Sequence, residues 1–207
     1  MSLDIHPETL AVPTRRVFDR LAARAWISNF YLAGGTALAL RLGHRISVDL
    51  DFFSEAEFDE GWLIGELSSV GTLEILQKSR RSITGTLDGV KFSFLGYPYP
   101  TLKRGEVWNG INIASVQDIA CMKLDALSSR GTKRDFIDVY FIAQQIPLIE
   151  QLRLFEQKYS VVRYNLLHVK KSLVYFEDAE SDPLPGMILL VTWQEVKEFF
   201  VGEAEKL

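Results

Sequence analysis

Apolar residues recur at helical spacing from about Glu8 to Phe30, at Val17, Leu21 and Ala25, with Trp26 beside them. The spacing predicts a helix, and Pro13 falls near its start, where a missing N–H costs nothing. Tyr31-Leu32-Ala33 then reads as a short apolar strand ending in Gly34-Gly35. From Thr36 to Leu42, Ala and Leu fill nearly every position, which predicts a short buried helix capped by Gly43. The next stretch, Ile46 to Phe53, alternates. Ile46, Val48, Leu50 and Phe52 fall on one face of a strand, and Ser47, Asp49, Asp51 and Phe53 on the other.

Phe58 to Val70 reads as a helix. Three strand-like runs follow: Leu73 to Lys78, Ser82 to Leu87 and Val90 to Tyr97. Asp88-Gly89 between the last two is a hairpin turn signal. Tyr97-Pro98-Tyr99-Pro100 cannot continue a central strand. Ile111 to Ala114 is a short strand. Ser115 opens a helix to about Ser129, with Asp118 in the place of an approximate capping box. A turn at Gly131 leads to a helix from Lys133 to Gln144, and Pro147 starts a further helical segment. Helical spacing continues from Val161 to Phe176, Glu177 to Gly186 reads as a loop, and Trp193 to Glu205 as a closing helix. Strands in the first part and helices in the last third predict an α+β fold: a mixed-sheet core flanked by helices. The core, with its N-terminal helix, is expected over residues 1–145, and a helical extension over 146–207.

Composition narrows the partners. Of the 207 residues, 47% are hydrophobic and 24% charged, as expected of a globular chain able to bury a sizeable core. The net charge of −4 argues against a wholly basic nucleic-acid surface, so any such contact needs a local basic patch. Cys121 is the only cysteine, which excludes a disulfide framework and a cysteine-rich zinc site within one chain. No apolar run is long enough to span a membrane, and Met1 to Pro13 is polar without a signal-peptide core. A soluble, reducing compartment such as the cytoplasm is the expected location.

The acidic alternation carries the chemistry. Two carboxylates at i and i+2 of a strand point the same way and repel unless a cation joins them. Mg²⁺, or Mn²⁺ in its place, suits one or two carboxylates with phosphates and water, which makes Asp49 and Asp51 a candidate metal pair for phosphoryl or nucleotidyl transfer. The exposed face of an edge strand would also carry two such acids. Gly34-Gly35, between a strand and a helix, lets the backbone approach a ligand, and Thr36 adds a hydroxyl. A tight turn with no ligand would show the same glycines.

Together the two features resemble the nucleotidyltransferase superfamily, whose pattern is an apolar residue, Gly and Gly/Ser, a spacer, then Asp-apolar-Asp/Glu. The run YLAGGTALALRLGHRISVDLDFF is most similar to the AbiEii/AbiGii toxin branch, in which Arg-x-Ser-x-Asp-apolar-Asp is matched by Arg45, Ser47, Asp49 and Asp51. Downstream, DIACMKLDALSSRGTKRDFIDVYFI places Asp118, Lys123, Arg130, Lys133, Asp135 and Asp138 where that branch carries a helix Lys and a charged stretch. The resemblance covers about Tyr31 to Ile142.

The resemblance implies a metal-dependent enzyme in which Asp49 and Asp51 hold Mg²⁺. Gly34, Gly35, Thr36, Arg45, Ser47, Lys123 and Asp135 serve the nucleotide, and Lys123 joins the Asp pair in catalysis. An NTP is the donor, RNA a candidate acceptor, a cognate antitoxin a candidate partner, and the setting a toxin–antitoxin or phage-defence system. A non-catalytic binding module of the same fold is the alternative. Its basis is the lack of a third carboxylate that active members of the superfamily usually carry on a later strand. The corresponding strand here offers only Lys91 and Ser93, with Asp88 and Glu74 as possible substitutes. Lys123 would otherwise be a snorkelling helix residue, and Asp138 a structural partner for a basic neighbour. His44 is expected to be an exposed loop residue, and Tyr97, Tyr99 and Trp108 form an aromatic cluster that could stack on a base or pack a sheet edge.

Overall fold

A computed structural model describes residues 5–207, so the first four residues of the polar N-terminal stretch lie outside the described residues. The chain forms two compact units. Unit 1 holds the residues up to Pro100 and Arg104–Ser115; unit 2 holds Thr101–Lys103 and Val116–Leu207. The division falls before the helices following Ser115, which the sequence groups with the sheet.

Unit 1 is built on a mixed sheet. Its strands are β1 (Tyr31–Leu32), β2 (Leu50–Ser54), β3 (Leu73–Ser79), β4 (Ser82–Leu87), β5 (Val90–Gly96), β6 (Glu106–Trp108) and β7 (Ile111–Ile113). Their order across the sheet is β3-β4-β5-β2-β1-β7-β6. β2 runs parallel to β5 and antiparallel to β1, and β1 runs parallel to β7. Alternation sorts the two faces: Phe52 and Phe94 stack at 4.8 Å on the packed face, while Asp51 stands beside Ser93 on the other. Behind the packed face, Trp26, Phe30 and Phe58 join Phe94 in a cluster of tilted and edge-to-face rings. Burial of such rings is the main stabilising contribution here, with about 0.5–1.5 kcal/mol per aromatic pair beyond area burial.

The helices of unit 1 are α1 (Val12–Ala22), α2 (Gly34–Leu42) and α3 (Glu60–Ser68). The expected N-terminal helix is shorter than its periodicity: α1 stops at Ala22, and a 3₁₀ turn covers Ala25–Asn29. Pro13 lies in the first turn of α1 as expected, and Gly43 closes α2 at φ +65°. The Asp88-Gly89 turn has φ of 48° and 77°, the left-handed pair a two-residue hairpin requires. The hairpin between β6 and β7 uses the same device at Asn109-Gly110, with φ of 46° and 84°. It was not expected from the sequence, because β6 spans only three residues with no alternation.

The strand expected over Ile46 to Phe53 begins only at Leu50. The backbone groups before it are taken elsewhere. Ser47 N–H donates to Thr9 O at 2.8 Å, the Thr14 hydroxyl to Val48 O at 2.9 Å, and the Thr36 hydroxyl to Asp49 O. With those groups engaged outside the ladder, Val48 turns outward and is 50% exposed instead of joining Leu50 and Phe52 in the core.

Unit 2 consists of α4 (Val116–Ser129), α5 (Lys133–Ala143), α6 (Leu148–Lys158), α7 (Leu166–Ser172), α8 (Glu177–Glu180) and α9 (Trp193–Ala204). α9 opens with a reciprocal capping box between Thr192 and Glu195. The helix expected from Val161 to Phe176 is reduced to α7: the β-branched pair Val161-Val162 lies outside it, and Asn165 caps a new start by accepting His168 N–H. The expected loop after Phe176 contains α8. The Asp118 carboxylate accepts Leu102 and Lys103 N–H at 2.9 and 3.1 Å and pairs with the fully buried Lys158 at 2.7 Å.

Candidate functional site

In unit 1 the residues singled out by sequence converge on the junction of α2 and β2. Gly34 adopts φ +64°, and a Cβ there would lie 2.9 Å from Asp51 Oδ2. Only glycine fits both the backbone angle and the approach of the carboxylate. Ala33 N–H donates to Asp51 O at 3.0 Å, tying the turn to the strand. Ala33 gives α2 no side-chain cap, so the helix start presents main-chain N–H groups beside Asp51. Asp49 sits one residue before β2, and both acids are half-exposed.

The neighbouring polar residues face inward. Thr36 is 1% exposed and its hydroxyl lies 2.7 Å from that of the buried Ser47. With its bond to Asp49 O, this hydroxyl holds the Asp49 segment against α2. Arg45 is buried, and a side chain at Gly35 would collide with its guanidinium. The structure thus joins Gly34, Gly35, Thr36, Arg45, Ser47, Asp49 and Asp51 in one neighbourhood. Thr36, Ser47 and Arg45 brace it from behind. Arg41, on α2, donates to Ile113 O at 2.9 Å and anchors the helix to the end of β7.

Ser93 is the residue opposite Asp51 in the parallel β2–β5 register, and its hydroxyl donates to Asp51 Oδ1. Neither expected substitute acid is in place. Glu74 is on β3, three strands from β2, roughly 14 Å away at the usual strand spacing. Asp88 is occupied by Arg20 and by Thr72 N–H; the Arg20 hydrogen bond is the main cause holding its carboxyl below the ordinary range. Among the described residues no three His, Cys, Asp or Glu side chains form a metal cluster. The donor set still fits Mg²⁺, which takes one or two carboxylates and completes its shell with phosphate and water. The bare Cα of Gly34 leaves room beside Asp51 that a side chain would fill.

In unit 2, Lys123 does not snorkel. It is 5% exposed, and its ammonium pairs with Asp135 at 3.0 Å and Asp138 at 2.6 Å. Asp135 also accepts from Arg130 at 2.9 and 3.1 Å and from the Thr132 hydroxyl at 2.6 Å. Burial alone would raise the Asp135 carboxyl. The Lys123 charge and the Arg130 and Thr132 hydrogen bonds outweigh it and hold the group well below the usual carboxylate range. Asp138 has the structural role of a partner to a basic neighbour. The Arg130 side chain stays 63% exposed.

Two expectations are corrected. His44 is fully buried, not an exposed loop residue. The aromatic trio is not one cluster: Tyr97 and Tyr99 pack together at 4.9 Å, while Trp108 packs on Phe18 at 5.1 Å under the Arg15 guanidinium. Ser93 was legible as a position but not as a partner of Asp51, because pairing register depends on the whole sheet.

Residues 16–96 and 96–206 match the family described as nucleotidyl transferase AbiEii toxin, type IV toxin–antitoxin system. The chain belongs to this AbiEii family. An AbiEii-family chain of this length has a relative in Aquifex aeolicus (strain VF5), an uncharacterized protein 39% identical over 192 residues, covering 90% of this chain and 91% of the relative. The AbiEii fold is shared with MenT4, a nucleotidyltransferase toxin of Mycobacterium tuberculosis H37Rv, at a TM-score of 0.62 and 15% identity over 93% of this chain and 81% of that one. JHP933 of Helicobacter pylori is similar at a TM-score of 0.54 and 19% identity, over 93% and 87% of the two chains. The α+β nucleotidyltransferase-like fold expected from the sequence is the fold observed. Among the described residues no helix is long and apolar enough to cross a membrane.

Proposed function

We propose that this AbiEii-family chain is a Mg²⁺-dependent nucleotidyltransferase, with Mn²⁺ able to substitute. It passes a nucleotide from an NTP to an acceptor hydroxyl, with RNA as the acceptor class and a cognate antitoxin as its controlling partner in the cytoplasm. The observation that carries the reading is the contact of Gly34, at positive φ, with the Asp51 carboxylate at an uncapped helix start. It puts phosphate-binding amides and a metal-binding acid side by side. Asp49 and Asp51 would hold the metal. When bound, the metal neutralises the pair and offsets charge on the phosphate oxygens.

The protein's own groups bind and orient. Amides of Gly34 and Gly35 receive the phosphates. Thr36, Ser47 and Arg45 keep the Asp49 segment and the glycine turn in place. The resemblance gives Lys123 the role of a cation for the triphosphate; in unit 2 its ammonium pairs with Asp135 and Asp138. In the transfer, the acceptor oxygen bonds to the α-phosphorus, the α–β phosphate bond breaks, pyrophosphate leaves, and the hydroxyl proton passes to solvent. Labelled NTPs incubated with total RNA and Mg²⁺ test the transfer, beside a nucleotide-binding titration with and without Mg²⁺. Asp49→Asn with Asp51→Asn is expected to abolish both readouts; nucleotide and metal binding that survive it would remove the site assignment.

Ser93 in the place of a third acid favours a second reading, a binding module that keeps the pocket without turnover. Tight Mg²⁺-nucleotide binding with no transfer to any acceptor selects it.

A further inference from the structure

We infer that Ser93 is the positioning residue of the Asp51 carboxylate, and that it makes the site in unit 1 a two-carboxylate site that captures its metal together with the nucleotide. The inference rests on the proposed site reading and deepens it. Three observations carry it. Ser93 is in register with Asp51 on the parallel neighbour strand, and its hydroxyl donates to Asp51 Oδ1. Asp51 Oδ2 is turned to the other side, against Gly34. One oxygen is thus pinned by a donor and the other aimed at the glycine turn. Neither Glu74 nor Asp88 supplies a third acid, since one lies on a distant strand and the other is bound to Arg20.

A serine hydroxyl stays protonated at neutral pH and donates to a carboxylate; it neither takes the acceptor proton nor adds negative charge to a metal site. With two acids the protein gives a divalent cation few ligands. The missing ones are phosphate oxygens and water, so affinity for the bare ion is low and rises when an NTP is present. A third acid at residue 93 would reverse that order by holding the ion before nucleotide arrives.

Mn²⁺ binding to the full chain, followed by electron paramagnetic resonance with and without a non-hydrolysable NTP analogue, tests the inference without reference to turnover. The wild-type chain is expected to bind Mn²⁺ weakly alone and at least about tenfold more tightly with the analogue. Ser93→Ala is expected to weaken the analogue-dependent binding about tenfold, the scale of one hydrogen bond to a charged group, with an unchanged melting temperature. Ser93→Thr restores it. Ser93→Asp is expected to tighten Mn²⁺ alone by about tenfold or more, and it keeps the inference testable if the alanine variant folds poorly. Wild-type affinities in Ser93→Ala, or unaltered binding of Mn²⁺ alone in Ser93→Asp, overturn it. Asp51→Asn separates the two levels. If it abolishes Mn²⁺-analogue binding while Ser93→Ala does not, the positioning role fails and the site stands; if it leaves binding intact, the site itself fails.

Discussion

Gly34 carries two constraints at one residue: a left-handed φ and a carboxylate oxygen where a Cβ would need room. Gly34→Ala is expected to cost about 1–2 kcal/mol from the backbone alone, and to displace Asp51. A melting-temperature drop with loss of nucleotide binding checks both effects. Lys123 is constrained differently. Removing its charge in Lys123→Met takes the buried ammonium from between Asp135 and Asp138, with Arg130 still on Asp135, and breaking a buried pair in this way typically destabilises by about 3–5 kcal/mol. Denaturant unfolding is expected to show that loss; a stability change below about 1 kcal/mol, the scale of an exposed pair, would mean the ammonium is solvated.

At the scale of elements, the hairpin of β6 and β7 depends on Asn109-Gly110. Gly110 has φ +84°, and a Cβ there would lie 2.9 Å from Ala22 O. Gly110→Ala is expected to destabilise by about 1–2 kcal/mol and to raise amide exchange first in Glu106–Trp108, the sheet's outer strand. Protection unchanged in that strand would show that the turn does not govern it. This hairpin also marks what the sequence conveys. Asp88-Gly89 was readable because alternating runs flank it, whereas Asn109-Gly110 lies between strands of three residues each. α2, β4 and β5 follow from local pattern. The start of β2 does not, because three threonines from separate elements compete for the backbone of Ser47, Val48 and Asp49. In the site, Asp49, Asp51 and the glycines carry a spacing that sequence displays. The inward turn of Thr36 and the Ser93–Asp51 bond arise from packing and register, which it does not.

Across the whole molecule, both units pack aromatic rings, Phe94 with Trp26 and Phe30 in unit 1 and Phe136 with Trp193 and Phe200 in unit 2, and unit 2 also buries the pairs Lys158–Asp118 and Lys123–Asp135. Asp135 has a folded-state carboxyl far below its unfolded value of about 3.9. Its contribution is therefore fully present above that unfolded value and is lost as pH falls from there toward the folded one. Acid titration is expected to weaken unit 2 below about pH 4, reported by Trp193, which packs on Phe136, before Trp26 in unit 1 responds. Asp135→Asn should flatten the acid limb of stability; an unaltered limb would assign it to other groups.

The alternation of Asp51 with Phe52, and of Ser93 with Phe94, has a consequence for how such a protein can change over generations. The residues that would meet a ligand and the rings that hold the sheet together occupy opposite faces of the same two strands. A substitution at Ser93 leaves the Phe52–Phe94 stack untouched. New chemistry can be sampled there by single-codon steps that leave those rings in place.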